Sequence, residues 1–157
     1  MKIKVLFVCL GNICRSPMAE GLMISKIKAR GIDHIDVESA GTSNYHIGEM
    51  PDNRMLETAA QNGIILESRA RQFSMLDFEK FDYIIAMDKS NKADILKLAR
   101  NDEERKKVRL MRDFDDKSDE NDVPDPYFGG HKGFEYVFDI LERSSENLLN
   151  SILENRT

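Results

Sequence analysis

Ile3-Lys4-Val5-Leu6-Phe7-Val8-Cys9-Leu10-Gly11-Asn12-Ile13-Cys14-Arg15-Ser16-Pro17-Met18 stands near the start of the chain. Ile3–Val8 is an almost purely apolar run rich in β-branched residues, as in a strand covered on both faces. A helical pattern begins at Pro17, with Met18, Leu22, Ile24 and Ile27 on its apolar positions and Gly31 as its stop. Cys9–Ser16 is therefore the loop of a strand–loop–helix junction. Backbone N–H groups converge at such a junction, and the first turn of the helix adds orphan donors and the positive end of a dipole. That field favours the charged form of a thiol placed there. A guanidinium at the far end of the loop can grip a phosphate through two parallel hydrogen bonds. Leu10, Gly11, Asn12, Ile13 and Cys14 would form the cradle, Cys9 the nucleophile and Arg15 the clamp. A plainer arrangement, with Cys9 buried at a strand end and Arg15 on a helix surface, uses the same residues without chemistry.

Further elements follow in alternation. Ile35–Ala40 reads as a strand ended by Gly41, and Pro51–Asn62 as a helix that stops at Gly63. Tyr83–Met87 is a third strand, after which Asp88 or Ser90 can cap a helix through Ile95 and Leu98. Val108–Met111 is a fourth strand. Arg112–His131 is a long acidic loop containing Pro and Gly. Gly133–Asn155 closes the chain as a helix with Phe134, Val137, Phe138, Leu141, Leu148 and Ile152 on one face. Alternating strands and helices predict an α/β fold with a parallel sheet and helices on both faces. Ligands bind such sheets at the C-terminal strand ends, where Cys9 lies. With 157 residues and no repeat, linker or low-complexity tract, one domain over 1–157 is expected.

A loop as long as Arg112–His131 is rarely a passive connector. Within it, Val123-Pro124-Asp125-Pro126-Tyr127-Phe128-Gly129-Gly130 places one carboxylate between two prolines. The following proline pushes Asp125 toward an extended backbone. A carboxylic acid held near a phosphate can protonate a leaving oxygen and later take a proton from water. Asp125 could instead be one more solvated acid beside Asp113, Asp115, Asp116, Asp119, Glu120 and Asp122.

Composition narrows the partners. The net charge of −5, with acids concentrated between Asp113 and Asp125, disfavours nucleic acid, which needs a basic face. An anionic substrate must be drawn in locally, by the loop and Arg15. The two cysteines share one loop and the three histidines, His34, His46 and His131, are scattered, so no metal site or cofactor is expected. Free thiols point to a reducing compartment, and a cytoplasmic location is expected. The run Val5–Leu10 is too short for a signal peptide, and no stretch is long enough to span a membrane.

With these residues in place, the chain resembles the low-molecular-weight protein tyrosine phosphatase family. Cys9–Ser16 resembles that family's nucleophile loop without a break, and Asp125-Pro126-Tyr127 its general-acid loop. The likeness continues through Ser39-Ala40-Gly41-Thr42, Tyr45, Gly48, Pro51-Asp52, Ala70-Arg71-Gln72, Met87-Asp88 and Ser90-Asn91. It implies a single flavodoxin-like domain (phosphotyrosine phosphatase I-like) with a four-stranded parallel sheet. It also implies hydrolysis of phosphotyrosine proteins and small aryl phosphates through a phosphocysteine intermediate, with inorganic phosphate as product and inhibitor. In the resemblance Cys9 attacks phosphorus, and Arg15 with the loop amides holds the equatorial oxygens. Ser16 donates its hydroxyl to the sulfur, Asp125 is acid and then base, and Asn12 shapes the loop. Many members have a second Tyr where Phe128 stands and a His where Ser68 stands, which puts phosphorylation at position 128 and the support of Asn12 in question. A monomer is expected, with weak dimerisation left open.

Tyr45, Tyr127 and Phe128 could wall a deep slot over Cys9, favouring a flat phosphorylated ring, or could serve core packing. Arsenate reductases of this fold carry a further redox pair, which this chain lacks. Arginine phosphatases of the fold tend to have Thr where Ile13 stands, so Ile13 favours an aromatic phosphomonoester. A binding module with Cys9 merely packed is a further alternative. Cys14 is expected within disulfide reach of Cys9, either as a reversible redox trap or as a small buried residue.

Overall fold

The computed structural model describes residues 2–117, 120–126 and 130–155. Four parallel strands form one sheet in the order β2-β1-β3-β4: β1 is Ile3–Cys9, β2 Ile35–Gly41, β3 Tyr83–Ala86 and β4 Val108–Leu110. The predicted α/β architecture is thus present, and its four strands have the expected order in the chain. β1 is central. Cys9 pairs with Gly41 of β2, and Val8 with Ala86 of β3. The C-terminal ends of the strands therefore meet along one edge, and strand order reverses beside β1, where open sheets of this kind form their binding crevice.

Alternation along β1 sorts the core into two layers. Val5, Phe7 and Cys9 face one side, with Met18, Leu22, Met55, Val137, Leu141 and Leu148. Leu6 and Val8 face the other, with Phe73, Phe78, Phe81, Ile84 and Ile95. Residues 5–8 are fully buried, which is why the run carries no polar alternation. Each large side chain so buried contributes about 1.5–3 kcal/mol. On the first side lie α1 (Arg15–Ala29), α2 (Asn53–Gln61) and α6 (Gly130–Glu154); on the second lie α3 (Asp77–Lys80) and α4 (Lys89–Leu96). Phe73 and Phe78 meet edge to face, with ring centroids 5.3 Å apart.

Several boundaries differ from the sequence reading. α1 begins at Arg15, so Pro17 is its third residue and is buried. A proline there removes one of the first-turn N–H groups that would lack a helical partner anyway. β4 stops at Leu110, and Met111, read as the strand's last residue, opens a 3₁₀ turn that runs to Phe114 in the stretch read as loop. α6 starts at Gly130, three residues early, because its glycines continue the helix instead of breaking it. α3 and α5 (Asp102–Lys106) were not foreseen. Along α6, Phe134, Val137, Ile140, Leu141, Leu148, Leu149 and Ile152 are buried, at the spacing of one helical face.

Candidate active site

The Cys9–Ser16 loop leaves β1 and enters α1. Its carbonyls are turned outward: those of Cys9, Leu10 and Ile13 accept from the amides of Thr42, Ser43 and Asp52 at 2.9, 2.9 and 2.8 Å. In a trans peptide the N–H opposes the C=O, so the amides of Leu10, Gly11 and Cys14 point to the inner side of the loop. Gly41 makes this approach possible. A Cβ there would lie 2.7 Å from the Leu10 carbonyl oxygen and 3.1 Å from the Asn12 nitrogen. No side chain among the described residues caps α1, whose N-cap position is Cys14.

Asn12 adopts φ 58°, the left-handed region that Asn tolerates better than other side-chain residues. Its side chain is committed at both ends. Nδ2 donates to Ser16 Oγ at 2.8 Å, and Oδ1 accepts from the Arg71 amide at 3.1 Å. Ser16 Oγ in turn lies 3.0 Å from Cys9 Sγ, and the Asn12 amide donates to the same sulfur at 3.3 Å. Cys9, Asn12 and Ser16 are all buried. Ser68 does not support Asn12; its hydroxyl bonds the Glu20 carboxyl, which also accepts from Ser39. Burial pushes the Glu20 carboxyl above its ordinary value, against those two hydroxyls.

Arg15 Nη1 donates to Asp88 Oδ2 at 2.7 Å and to the Val123 carbonyl at 2.9 Å. Burial disfavours the guanidinium charge, but the Cys9 sulfur, Asp88 and Asp125 outweigh it and hold Arg15 above its ordinary value. Of Asp88 and Ser90, the two candidate helix caps, Asp88 is the cap: Oδ1 accepts from the Asn91 amide at 2.7 Å. Its second role, fixing Arg15, had no sequence signal except its place after β3, on the same sheet edge as Cys9.

Cys9, Leu10, Gly11, Ile13, Cys14, Arg15, Tyr45, His46 and Asp125 line one slot of about 90 Å³. Asp125, from the proline-framed loop, thus reaches the slot as expected, and it is exposed. Tyr45 is 75% exposed, so it stands at the mouth and not in the core. Tyr127 and Phe128, read as further walls, lie outside the described residues. His46 was not singled out as a wall residue. Its Nδ1 is 2.8 Å from Glu49 Oε2, and its ring lies so close over Gly11 that a Cβ there would come 2.8 Å from Cδ2. Both cysteines are free thiols. Burial, then Asp52, Cys9 and Asp125, push the Cys14 thiol well above its ordinary value.

A parallel α/β sheet with a cysteine, an arginine and an aspartate gathered at its C-terminal edge defines the class of protein, and comparison defines the family. The family model described as low molecular weight phosphotyrosine protein phosphatase matches residues 4–157. A Synechocystis chain, 47% identical over 151 residues and covering 96% of each chain, bears a provisional name of that kind. The crystal structure of a protein tyrosine phosphatase from Entamoeba histolytica superposes with a TM-score of 0.94 at 41% identity, covering 99% of this chain and 100% of that one. A Drosophila arginine phosphatase superposes at 0.89 and 33% identity, covering 96% and 98%. The chain belongs to the low molecular weight phosphotyrosine protein phosphatase family.

Proposed function

We propose that the protein hydrolyses phosphotyrosine in proteins, and small aryl phosphates, through a phosphocysteine intermediate. The convergence of Cys9, Arg15 and Asp125 on one narrow slot carries this reading. Cys9 Sγ attacks phosphorus as the bond to the aryl oxygen breaks, and Asp125 gives that oxygen a proton. Water then attacks the phosphocysteine, Asp125 takes its proton, and Cys9 leaves with inorganic phosphate released. The inward amides and Arg15 stabilise the equatorial oxygens as charge shifts. Ser16 Oγ and the Asn12 amide are placed to stabilise negative charge on sulfur, both in attack and in departure. Residues 1–157 act as one catalytic unit that needs no cofactor. Free thiols fit a reducing compartment such as the cytoplasm. Among the described residues no helix is long and apolar enough to cross a membrane.

The test is hydrolysis of an aryl phosphate by wild type, Cys9→Ser and Asp125→Asn. Cys9→Ser should abolish turnover. Asp125→Asn should cost about two orders of magnitude or more on poor leaving groups. No turnover by any of the three would indicate a phospho-ligand binding module. The arginine phosphatase among the neighbours gives a second reading, phosphoarginine. Ile13, in the slot wall, offers an apolar surface to a ring and no hydroxyl to a guanidino group. Parallel assays on phosphotyrosine and phosphoarginine peptides separate the two.

We also propose a redox trap at the same loop. Peroxide converts the Cys9 thiolate to a sulfenic acid with release of hydroxide, and the Cys14 thiol condenses with it to a disulfide and water. Burial keeps Cys14 a neutral thiol, so the oxidant meets Cys9 first. Peptide mapping after peroxide should find Cys9 linked to Cys14; overoxidised Cys9 with no linked peptide would rule the trap out.

A further inference from the structure

Residues 120–125, which carry Asp125, form no helix or strand and are held by point contacts. Val123 donates its amide to the Met87 carbonyl at 2.8 Å and buries its side chain completely. The Val123 carbonyl accepts from Arg15, a group that must also serve the phosphate. Asp122 Oδ1 accepts from the Lys89 amide at 2.9 Å, and the Asp122 carbonyl accepts from Arg112 Nη1 at 2.9 Å. Asp125 follows Val123 by one proline, so this contact set anchors the backbone from which its carboxyl projects.

Arg112 is the unexpected member. It comes from the 3₁₀ turn after β4, and its side chain is only 3% exposed. Its Nη2 lies 3.2 Å from Asp115 Oδ2, on a side chain with no exposure at all. Asp115 is gripped from the other side by Arg143 of α6, with Nε to Oδ1 at 2.7 Å and Nη2 to Oδ2 at 3.0 Å. Burial raises the Asp115 carboxyl, but the Arg143 hydrogen bonds, the Lys117 amide and both guanidinium charges prevail and hold it below its ordinary value. A buried ion pair rarely gains stability over apolar packing, because desolvation offsets the attraction. Such a group instead supplies fixed geometry: a planar fork braced on one side and presenting donors on the other.

We propose that Arg112 is a positioning residue for the acid loop: braced by Asp115 and Arg143, it holds the Asp122 carbonyl and thereby sets the stance of Asp125 over Cys9. This rests on the general-acid role proposed for Asp125. A misplacement of about 1 Å at a reacting group can cost a factor of about 100, and the penalty should fall where proton donation matters most. Phosphate binding should be kept, because the Cys9–Ser16 loop has its own supports at Thr42, Ser43, Asp52 and Arg71, and Arg15, besides its bond to the Val123 carbonyl, is held by Asp88.

The experiment measures kcat/KM over a series of aryl phosphates of rising leaving-group basicity, with inorganic phosphate as competitive inhibitor. Arg112→Met leaves Asp115 paired with Arg143. It should lose about ten- to a hundredfold on the most basic leaving groups and less than about threefold on the least basic, with phosphate inhibition unchanged. Added to Asp125→Asn, it should cost little more. Arg112→Lys, which keeps the charge but not the fork, should show the same trend more weakly, and it carries the test if the methionine variant does not fold. A folded Arg112 variant with the wild-type dependence on leaving group, or a full additional loss on top of Asp125→Asn, would overturn the proposal. If Asp125→Asn itself keeps the wild-type dependence, the general-acid reading fails instead.

Discussion

Arg15 Nη1 stands 2.7 Å from Asp88 Oδ2, so the cation that faces the slot is fixed by the residue that caps α4. The guanidinium of one strand–helix junction, the proposed phosphate clamp, is oriented by the next junction along the same sheet edge. Asn caps a helix about as well as Asp, so Asp88→Asn keeps the cap and removes the counter-charge. Turnover should fall about ten- to a hundredfold, while inhibition by inorganic phosphate stays the same or tightens, since a negative charge near the anion has gone. A parallel loss of phosphate affinity would mean that Asp88 serves binding and not orientation.

Ser16 Oγ accepts from Asn12 Nδ2 at 2.8 Å and lies 3.0 Å from Cys9 Sγ, within reach to donate its hydroxyl to sulfur. On the proposed mechanism, Ser16→Ala deletes the group that steadies sulfur as it leaves the phosphoenzyme. Quenched-flow measurements should show breakdown of the intermediate slowed about tenfold or more, with labelled enzyme accumulating during turnover. Uniform slowing of both steps, without accumulation, would contradict this role.

Gly41 is required by contact and not by backbone angle. The Cβ of Gly41→Ala would meet the Leu10 carbonyl at 2.7 Å, a backbone atom that cannot swing aside. The loop must shift, taking its inward amides with it, so kcat/KM should fall about a hundredfold or more. The circular dichroism spectrum should stay native. Near-normal activity would show that the loop tolerates a displaced β2 end.

Glu20 gives a pH signature with a definite sign. Burial raises its carboxyl in the folded state, so ionisation opposes folding. Wild-type stability should therefore decline as pH rises from the ordinary carboxylate range through the raised folded value, and the deficit should persist above it. Glu20→Gln remains neutral throughout. Melting curves of the two proteins should agree near the acid end and diverge toward neutral pH, with the variant higher. A variant that is less stable at neutral pH would show that the charged form is preferred.

The strand–loop–helix reading of Ile3–Ala29 was legible because one apolar run ends abruptly in polar loop residues, and a buried central strand has no other pattern. Asp125 was legible because two prolines frame it within an acidic stretch. Asp88 was half legible: a cap is a local event, but its bond to Arg15 spans 73 positions and leaves no local trace. His46 and Arg112 act through contacts made only by the folded chain, and nothing in their neighbours marks them. The short helices Asp77–Lys80 and Asp102–Lys106 are under two turns, too brief for a period to appear. The start of α1 was misplaced because Pro17 is usual at a first helical position but here occupies the third.

Thr42, Ser43 and Asp52 hold the Cys9–Ser16 loop through their main-chain amides. The segment between them projects Tyr45, Ile47 and Met50 outward, each more than half exposed. Substitution of these protruding side chains would therefore reshape the rim of the slot without removing the amides that hold the Cys9–Ser16 loop.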